Sequence, residues 1–305
     1  MLRTLSAMSF NEGASLDTSQ VTGGGGRRGA AIGGGAGGII LLILGLIFGQ
    51  NLTGGSTNPF DTSQIQGGGE EQTATFDQCK TGSDANRDDV CRIIGTVNSV
   101  QDYWTDALPA DVKRQYQEAK TVIFSGSTQS ACGTASGATG PFYCPSDQRV
   151  YIDAGFFDEL TSKFGADDGA LAQEYVVAHE YGHHVENILG FLAKGQDGQT
   201  GPQSGGVRIE LMADCMAGVW AKHASTTEDK NGVTLLKPLT DDDIKSALSA
   251  AAAVGDDHIQ STLGGGNVNQ ETWTHGSSES RQKWFLAGYE SGNVNSCDTF
   301  STNDL

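Results

Sequence analysis

The segment His179-Glu180-Tyr181-Gly182-His183 constrains the fold of this chain more than any other sequence feature. Apolar residues around it recur at helical spacing, which predicts a helix over about residues 171–189. Two histidines four residues apart on a helix point to the same side. They can hold one Zn²⁺ and leave a coordination position open for water, and the Glu180 carboxylate lies beside that water. This spacing is typical of zinc-dependent peptide hydrolysis.

Two neighbouring positions qualify this prediction. A glycine in mid-helix costs about 1 kcal/mol relative to alanine. Gly182 therefore suggests that another backbone packs closely against the helix at this point. His184 follows His183 directly and points about 100° away around the helix. We expect it to pack or to support the ligands rather than to bind the metal.

A second predicted helix, from residue 208 to about residue 224, supplies the third ligand. Glu210 and Asp214 share one face of this helix, and the rest of the segment is apolar, so the acidic pair needs a buried partner. We predict that Glu210 binds the metal and that Asp214 accepts the outer N–H of a metal-bound histidine. A histidine six residues after His183 would indicate the metzincin class, but that position is Leu189. Two histidines with a glutamate from a later helix form the gluzincin arrangement, of which thermolysin is the model.

The predicted reaction is hydrolysis of an amide. Zinc lowers the pKa of its bound water and polarises the substrate carbonyl, and Glu180 acts as general base. The oxyanion that develops needs a hydrogen-bond donor, and the candidates are Tyr181, His275, Tyr143 and Tyr151. We favour His275, because it lies in a Gly/Ser-rich turn before a predicted helix and can project into a cleft. A surface or capping role for this histidine is the alternative.

The net charge of the chain bears on its binding partners, and one apolar run of residues bears on its cellular location. The chain has 305 residues and a formal net charge of −18, which argues against nucleic acid as a partner. Residues from 30 to about 48 carry no charge and are long enough to span a bilayer. Arg27 and Arg28 precede them, so the positive-inside rule predicts a cytoplasmic N-terminus. A cleaved signal peptide is the alternative.

Four regions are therefore predicted. Residues 1–29 form a glycine-rich cytoplasmic head, 30–50 a transmembrane helix, 51–75 a flexible linker, and 76–305 an extracytoplasmic zinc metallopeptidase domain. All six cysteines lie in the last region, where an even count suggests disulfides. The predicted pairs are Cys79–Cys91, Cys132–Cys144 and Cys215–Cys297. A cysteine zinc site is the alternative, but the chain contains no CxxC.

The remaining patterns set the fold class. Residues 88–116 are predicted to be mostly helical, whereas residues 121–124 and 148–153 have β-type patterns. The predicted class is α+β, with a mainly helical, zincin-like catalytic domain, a small β-sheet and one preceding transmembrane helix. An extended peptide can add to a strand at the cleft edge.

The ordered motifs resemble the neutral zinc metallopeptidase family of bacteria. They are GPFYCP at 140–145, VYID at 150–153, AHEYGHHV at 178–185, ELMADC at 210–215, AGVW at 217–220, GDD at 255–257 and THGSS at 274–278. The resemblance covers about residues 95–300. It implies one Zn²⁺ per chain with His179 and His183 as ligands, Glu180 as catalytic residue and a location in the bacterial plasma membrane. The family usually has arginine where this chain has His258.

Two other functions stay open alongside a peptidase. A zinc amidase acting on cell-wall amides would use the same water attack. A zinc-binding scaffold protein would keep the fold without hydrolysis, although it would have no use for Glu180. The expected partners are a peptide or protein substrate and the membrane.

Overall fold

The computed structural model describes residues 9–24 and 75–305. Most of this part of the chain is helical. The helices are α1 (Gly82–Ala85), α2 (Asp89–Val112), α3 (Phe156–Ser162), α4 (Ala170–Leu189), α5 (Gly205–His223), α6 (Asp241–Ala253), α7 (Asp256–Thr262) and α8 (Ser278–Ser291). The strands are β1 (Val21–Gly23), β2 (Lys120–Phe124), β3 (Ser127–Ser130), β4 (Gly133–Ser136), β5 (Phe142–Cys144) and β6 (Arg149–Asp153). The predicted α+β, mainly helical character is confirmed.

Four strands form one sheet in the order β1-β2-β6-β5, and β3 pairs with β4 in a separate hairpin. The strands β1, β2 and β6 are parallel. The strand β5 runs antiparallel to β6, with Phe142 opposite Tyr151. Among the described strands β5 has a neighbour on one side only, so its other edge is free.

Helices α5 and α8 approach so closely that only glycine fits at the contact. A Cβ atom on Gly218 would lie 2.0 Å from the carbonyl oxygen of Phe285, and one on Gly288 would lie 1.9 Å from that of Cys215. The disulfide Cys215–Cys297 fastens the same helix to the C-terminal segment. The helix that carries Glu210 is therefore held firmly on this side.

The three disulfides join the predicted pairs. They are Cys79–Cys91, Cys132–Cys144 and Cys215–Cys297. No cysteine in the described part of the chain is free. The second disulfide fixes the last residue of β5 to the turn between β3 and β4.

The predicted transmembrane helix at 30–50 and nearly all of the linker at 51–75 lie outside the described residues. Within residues 9–24 and 75–305, no helix is both long and apolar enough to cross a membrane. On this finding the fold class is corrected: the preceding transmembrane helix is removed from it.

The predicted placement of the N-terminus is also wrong. Phe10 is fully buried, and its ring packs against Gly95 of α2. The strand β1 is paired with β2, and the Ser9 hydroxyl donates a hydrogen bond to Glu174 of α4. A cytoplasmic head cannot share a core with a domain on the other side of a membrane. We therefore withdraw the prediction of a single-pass plasma-membrane protein with a cytoplasmic N-terminus.

The contact between Ser9 and Glu174 has a consequence for pH dependence. Burial raises the pKa of Glu174 from 4.5 to about 7. Between these values the folded chain holds a proton that the unfolded chain has lost, so the free energy of unfolding falls as the pH rises. This group contributes a fall of about 3 kcal/mol. We expect Glu174→Gln to reduce the fall, measured by urea unfolding from pH 5 to 8.

The exposed Glu290 provides the control, because Glu290→Gln changes the same charge on the surface. That variant should follow the wild-type pH profile. A Glu174→Gln profile parallel to that of wild type would contradict the assignment to this carboxyl.

Candidate metal centre

The site forms where α4 crosses α5. A Cβ atom on Gly182 would lie 2.9 Å from the Cα atom of Ala213, closer than side chains come. The close backbone contact predicted from this glycine is confirmed. It brings the face of α4 that carries His179 and His183 opposite Glu210 of α5.

The three predicted ligands are buried together at this crossing. The His179 Nε2 atom lies 3.2 Å from Glu210 Oε2, and the His183 Nε2 atom lies 3.6 Å from Glu210 Oε1. Zinc bonds of about 2.0–2.1 Å place adjacent tetrahedral ligands about 3.3 Å apart. The two imidazoles and the carboxylate therefore fit one zinc ion.

The outer nitrogen of each histidine contacts a buried carboxylate. The His179 Nδ1 atom lies 2.8 Å from Asp214 Oδ1, and the His183 Nδ1 atom lies 2.8 Å from Glu186 Oε2. Carboxylates accept from these N–H groups, which leaves both Nε2 lone pairs facing Glu210. Asp214 occupies the position expected for it. Glu186 is absent from the sequence prediction, although its spacing of three residues from His183 on one helix could have revealed it.

Arg281 of α8 completes the support of Asp214. Its guanidinium donates to Asp214 through Nε at 2.8 Å and through Nη2 at 2.9 Å. Burial favours a raised pKa for Asp214, but Arg281 and His179 outweigh burial and hold that pKa at about 2. Arg281 is also missing from the sequence prediction. The signal was its place on the buried stripe of α8 with Trp284, Phe285 and Gly288, where an arginine needs a buried acid.

The electrostatics suit a cation. Burial lowers the pKa of His183 to about 3, so this imidazole is neutral. Burial also acts to lower the pKa of His179, yet Asp214 and Glu210 raise it to about 9. That rise reflects the negative charge gathered around His179. A divalent cation would neutralise the same charge and release the proton.

A cavity opens beside the three candidate ligands, and Glu180 is one of the residues that line it. Its side chain is buried, and burial raises its pKa to about 7. The Oε2 atom has no hydrogen-bond partner among the described residues. A buried carboxylate with a free oxygen and a pKa near neutrality can accept a proton from water.

His275 is the one oxyanion candidate of the four that borders this cavity. Its turn is fixed by Asp256, whose Oδ2 atom accepts the backbone N–H groups of Thr274, His275 and Gly276. The Asp256 Oδ1 atom lies 3.4 Å from His275 Nδ1. The hydroxyls of the other three candidates are engaged elsewhere, with Thr121 for Tyr181, His184 for Tyr143 and Asp147 for Tyr151.

The two remaining histidines singled out in the sequence lie off the centre. Both ring nitrogens of His184 have partners, and burial lowers its pKa. The His258 Nε2 atom donates to the carbonyl oxygen of Phe164 at 2.8 Å. Neither side chain borders the cavity.

An apolar cavity opens beside the candidate metal ligands. Its volume is about 100 Å³. Its apolar lining consists of Phe142, Phe156, Phe164, Val176, Val254 and Ile259. One wall is the start of β5, so the cavity, the free strand edge and the candidate ligands adjoin one another.

The crossing at Gly182 leads to a prediction. In Gly182→Ala, the added methyl group forces α4 and α5 apart and moves His179 and His183 away from Glu210. We expect the free energy of unfolding to fall by about 1–3 kcal/mol and zinc affinity to fall by about 10-fold or more. Urea unfolding and competition with a chromogenic chelator measure the two effects.

A matched control is Gly13→Ala, because a Cβ atom there would have no heavy atom within 4 Å. It should leave zinc affinity as it is in the wild type. If Gly182→Ala behaves like this control in both measurements, the contact at the crossing does not position the ligands.

Comparison with known proteins identifies the family of the chain. Residues 9–300 match the family described as "Putative neutral zinc metallopeptidase". The uncharacterized protein Rv2575 of Mycobacterium tuberculosis is 52% identical over 305 residues, which cover 98% of this chain and 100% of its own length. The uncharacterized protein YpfJ of Escherichia coli is 38% identical over 221 residues, which cover 70% of this chain and 73% of its own. No solved structure matched the chain.

Proposed function

The chain belongs to the neutral zinc metallopeptidase family, and on that premise we propose that it hydrolyses peptide bonds with one zinc ion held by His179, His183 and Glu210. The supporting observation is the arrangement of two Nε2 atoms within 3.6 Å of the Glu210 carboxylate, beside the free oxygen of Glu180. When bound, zinc would lower the pKa of a water and polarise the substrate carbonyl.

Glu180 is the general base in this proposal. It accepts a proton as the water oxygen attacks the carbonyl carbon, and it then gives the proton to the nitrogen of the leaving amine. In the zinc-free chain, burial raises the pKa of this carboxyl to about 7. The free Oε2 atom supplies the acceptor.

His275 is the proposed donor to the oxyanion. Asp256 holds the turn of His275 through three backbone hydrogen bonds, so the imidazole is oriented before substrate binds. A fixed donor of this kind is worth about 10²–10³ in kcat.

The cavity and the strand edge together fit a peptide. An extended backbone can pair with the free edge of β5, while one side chain enters the apolar cavity. Apolar cavities of about 150 Å³ hold a benzene ring, so the cavity of about 100 Å³ suits a side chain of leucine size. We propose a peptide substrate with an aliphatic residue next to the cleaved bond.

The test uses the full chain purified with zinc. It is incubated with peptides that carry Leu or Asp at the tested position, with casein and with cell wall. We expect cleavage of casein and of the Leu peptide, loss of cleavage in chelator, and recovery on adding zinc. Cleavage of cell-wall amides without cleavage of peptides would favour the amidase. Full zinc occupancy without hydrolysis of any amide would favour the scaffold protein.

A further inference from the structure

Tyr143 does not border the cavity, and its hydroxyl contacts two side chains of α4. Tyr143 is the central residue of β5 and is 1% exposed. Its hydroxyl oxygen lies 3.0 Å from His184 Nδ1 and 3.0 Å from Asn187 Nδ2. Both partners belong to α4, the helix that carries His179, Glu180 and His183. We call Tyr143, His184 and Asn187 the strand clamp.

The hydrogen-bond directions in the strand clamp can be assigned. The His184 Nε2 atom lies 2.6 Å from the carbonyl oxygen of Gln117, which can only accept, so Nε2 carries the proton. The Nδ1 atom of the neutral ring is then an acceptor. The Tyr143 hydroxyl therefore donates to His184 and accepts from Asn187. Each of these polar groups is satisfied, which gives the clamp one preferred geometry.

The backbone of the same tyrosine meets the catalytic machinery. The backbone N–H of Tyr143 lies near the Glu180 carboxylate and acts to lower its pKa, against the larger effect of burial. This N–H belongs to the strand with the free edge, and Phe142 beside it lines the cavity. A shift of β5 would change the distance from the strand edge to Glu180.

We propose that His184 and Asn187 are positioning residues that hold β5, through the Tyr143 hydroxyl, at the distance from Glu180 that an extended substrate requires. This inference rests on the proposed peptidase function. One helix then sets both the group that activates water and the strand that aligns the peptide. The residue after His183, which the sequence assigns only to packing or support, thereby gains a specific task.

Tyr143→Phe tests the strand clamp, because it removes the hydroxyl and keeps the ring. We measure kcat and KM for an eight-residue peptide and for a blocked dipeptide, with zinc content as a check. For the long peptide KM should rise about tenfold with little change in kcat, because the strand contributes binding along the backbone. The dipeptide, which barely reaches the strand, should change less than about twofold. An equal loss for both peptides would indicate a general structural role and overturn the proposal.

Tyr151→Phe is the matched control. Tyr151 lies opposite Phe142 on β6, and its hydroxyl bonds Asp147 rather than α4. This variant should keep the wild-type KM for both peptides. His184→Gln retains an acceptor and a donor and should stay within about threefold of wild type, whereas His184→Leu should match Tyr143→Phe.

Amide hydrogen exchange reports on the strand without relying on activity. In Tyr143→Phe the amides of residues 142–144 should exchange about tenfold faster than in wild type or Tyr151→Phe. Unchanged exchange rates at these amides would overturn the proposed role of the strand clamp. A wild-type chain that cleaves neither peptide would instead contradict the proposed function, and the exchange rates would then decide the clamp alone.

Discussion

Glu180→Gln should lower kcat for peptide hydrolysis by about 10³-fold while zinc stays bound. A glutamine cannot accept the proton of the attacking water, and general base catalysis contributes about 10²–10⁴-fold. The proposed metal ligands His179, His183 and Glu210 are untouched, so zinc content should equal that of wild type. Steady-state kinetics and metal analysis on the same preparation measure both quantities.

Glu174→Gln is a closely matched control for this experiment. Glu174 and Glu180 lie on the same helix, are both buried, and have their pKa values raised by burial to about 7. Glu174 contacts Ser9 and does not border the cavity. The control should retain wild-type kcat, so a loss confined to Glu180→Gln reflects chemistry rather than a missing buried charge. Equal kcat in Glu180→Gln and wild type would refute the assignment of Glu180 as the general base.

The same pair separates stability from activity. Burial penalises the charged form of Glu180, and its Oε2 atom lacks a partner. At pH 8 and in the absence of zinc, both glutamine variants should therefore unfold at higher urea concentration than wild type. Only Glu180→Gln should lose activity as it gains stability, as expected where a functional group is held in an unfavourable environment.

The arrangement of the candidate metal centre was largely predictable because its signals are local. The spacing of His179 and His183 and of Glu210 and Asp214 places each pair on one helical face. Gly182 indicated the helix crossing, because a glycine in mid-helix is unfavourable unless close packing requires it. Glu186 obeys the same local geometry at three residues from His183. The sequence prediction looked on α5 for a carboxylate that supports a metal-bound histidine, and the same search on α4 would have found Glu186.

The N-terminal segment could not be predicted from local pattern. Phe10 and the three residues of β1 are too few to give an amphipathic period. Their place in the core depends on partners about 85 and 100 residues further along the chain, Gly95 and Thr121. Composition alone made residues 1–29 resemble a solvated head, and the charge rule then assigned them to the cytoplasm. The packing of residues 9–24 against α2 and β2 overrules that assignment.

Arg281 and Asp256 were only partly predictable from the sequence. Each is a buried charge whose partner lies on another element, Asp214 for the first and the turn at His275 for the second. The sequence reveals that a charge stands among apolar neighbours, but it does not reveal which opposite group meets it. Such pairs become visible only when the helices are packed.

Glu210→Gln should reduce zinc affinity by more than about 100-fold. Loss of an outer carboxylate costs about 10–100-fold in known metal sites, and replacement of a ligand should cost more. Glu186→Gln provides the graded comparison, because its amide oxygen can still accept the N–H of His183. Competition with a chromogenic chelator measures both affinities, and unfolding of the zinc-free variants separates binding from folding.

The relative size of the two losses in zinc affinity distinguishes a metal ligand from a residue that supports one. If Glu210 is a ligand, its variant loses more affinity than Glu186→Gln, and its remaining zinc is removed by mild chelation. If Glu186→Gln weakens zinc and Glu210→Gln does not, the two histidines bind the metal with a different third group. His275 would then be the first residue to test, because it also borders the cavity with Glu180. A histidine in that position would no longer be free to stabilise an oxyanion, so this single comparison also tests the proposed role of His275.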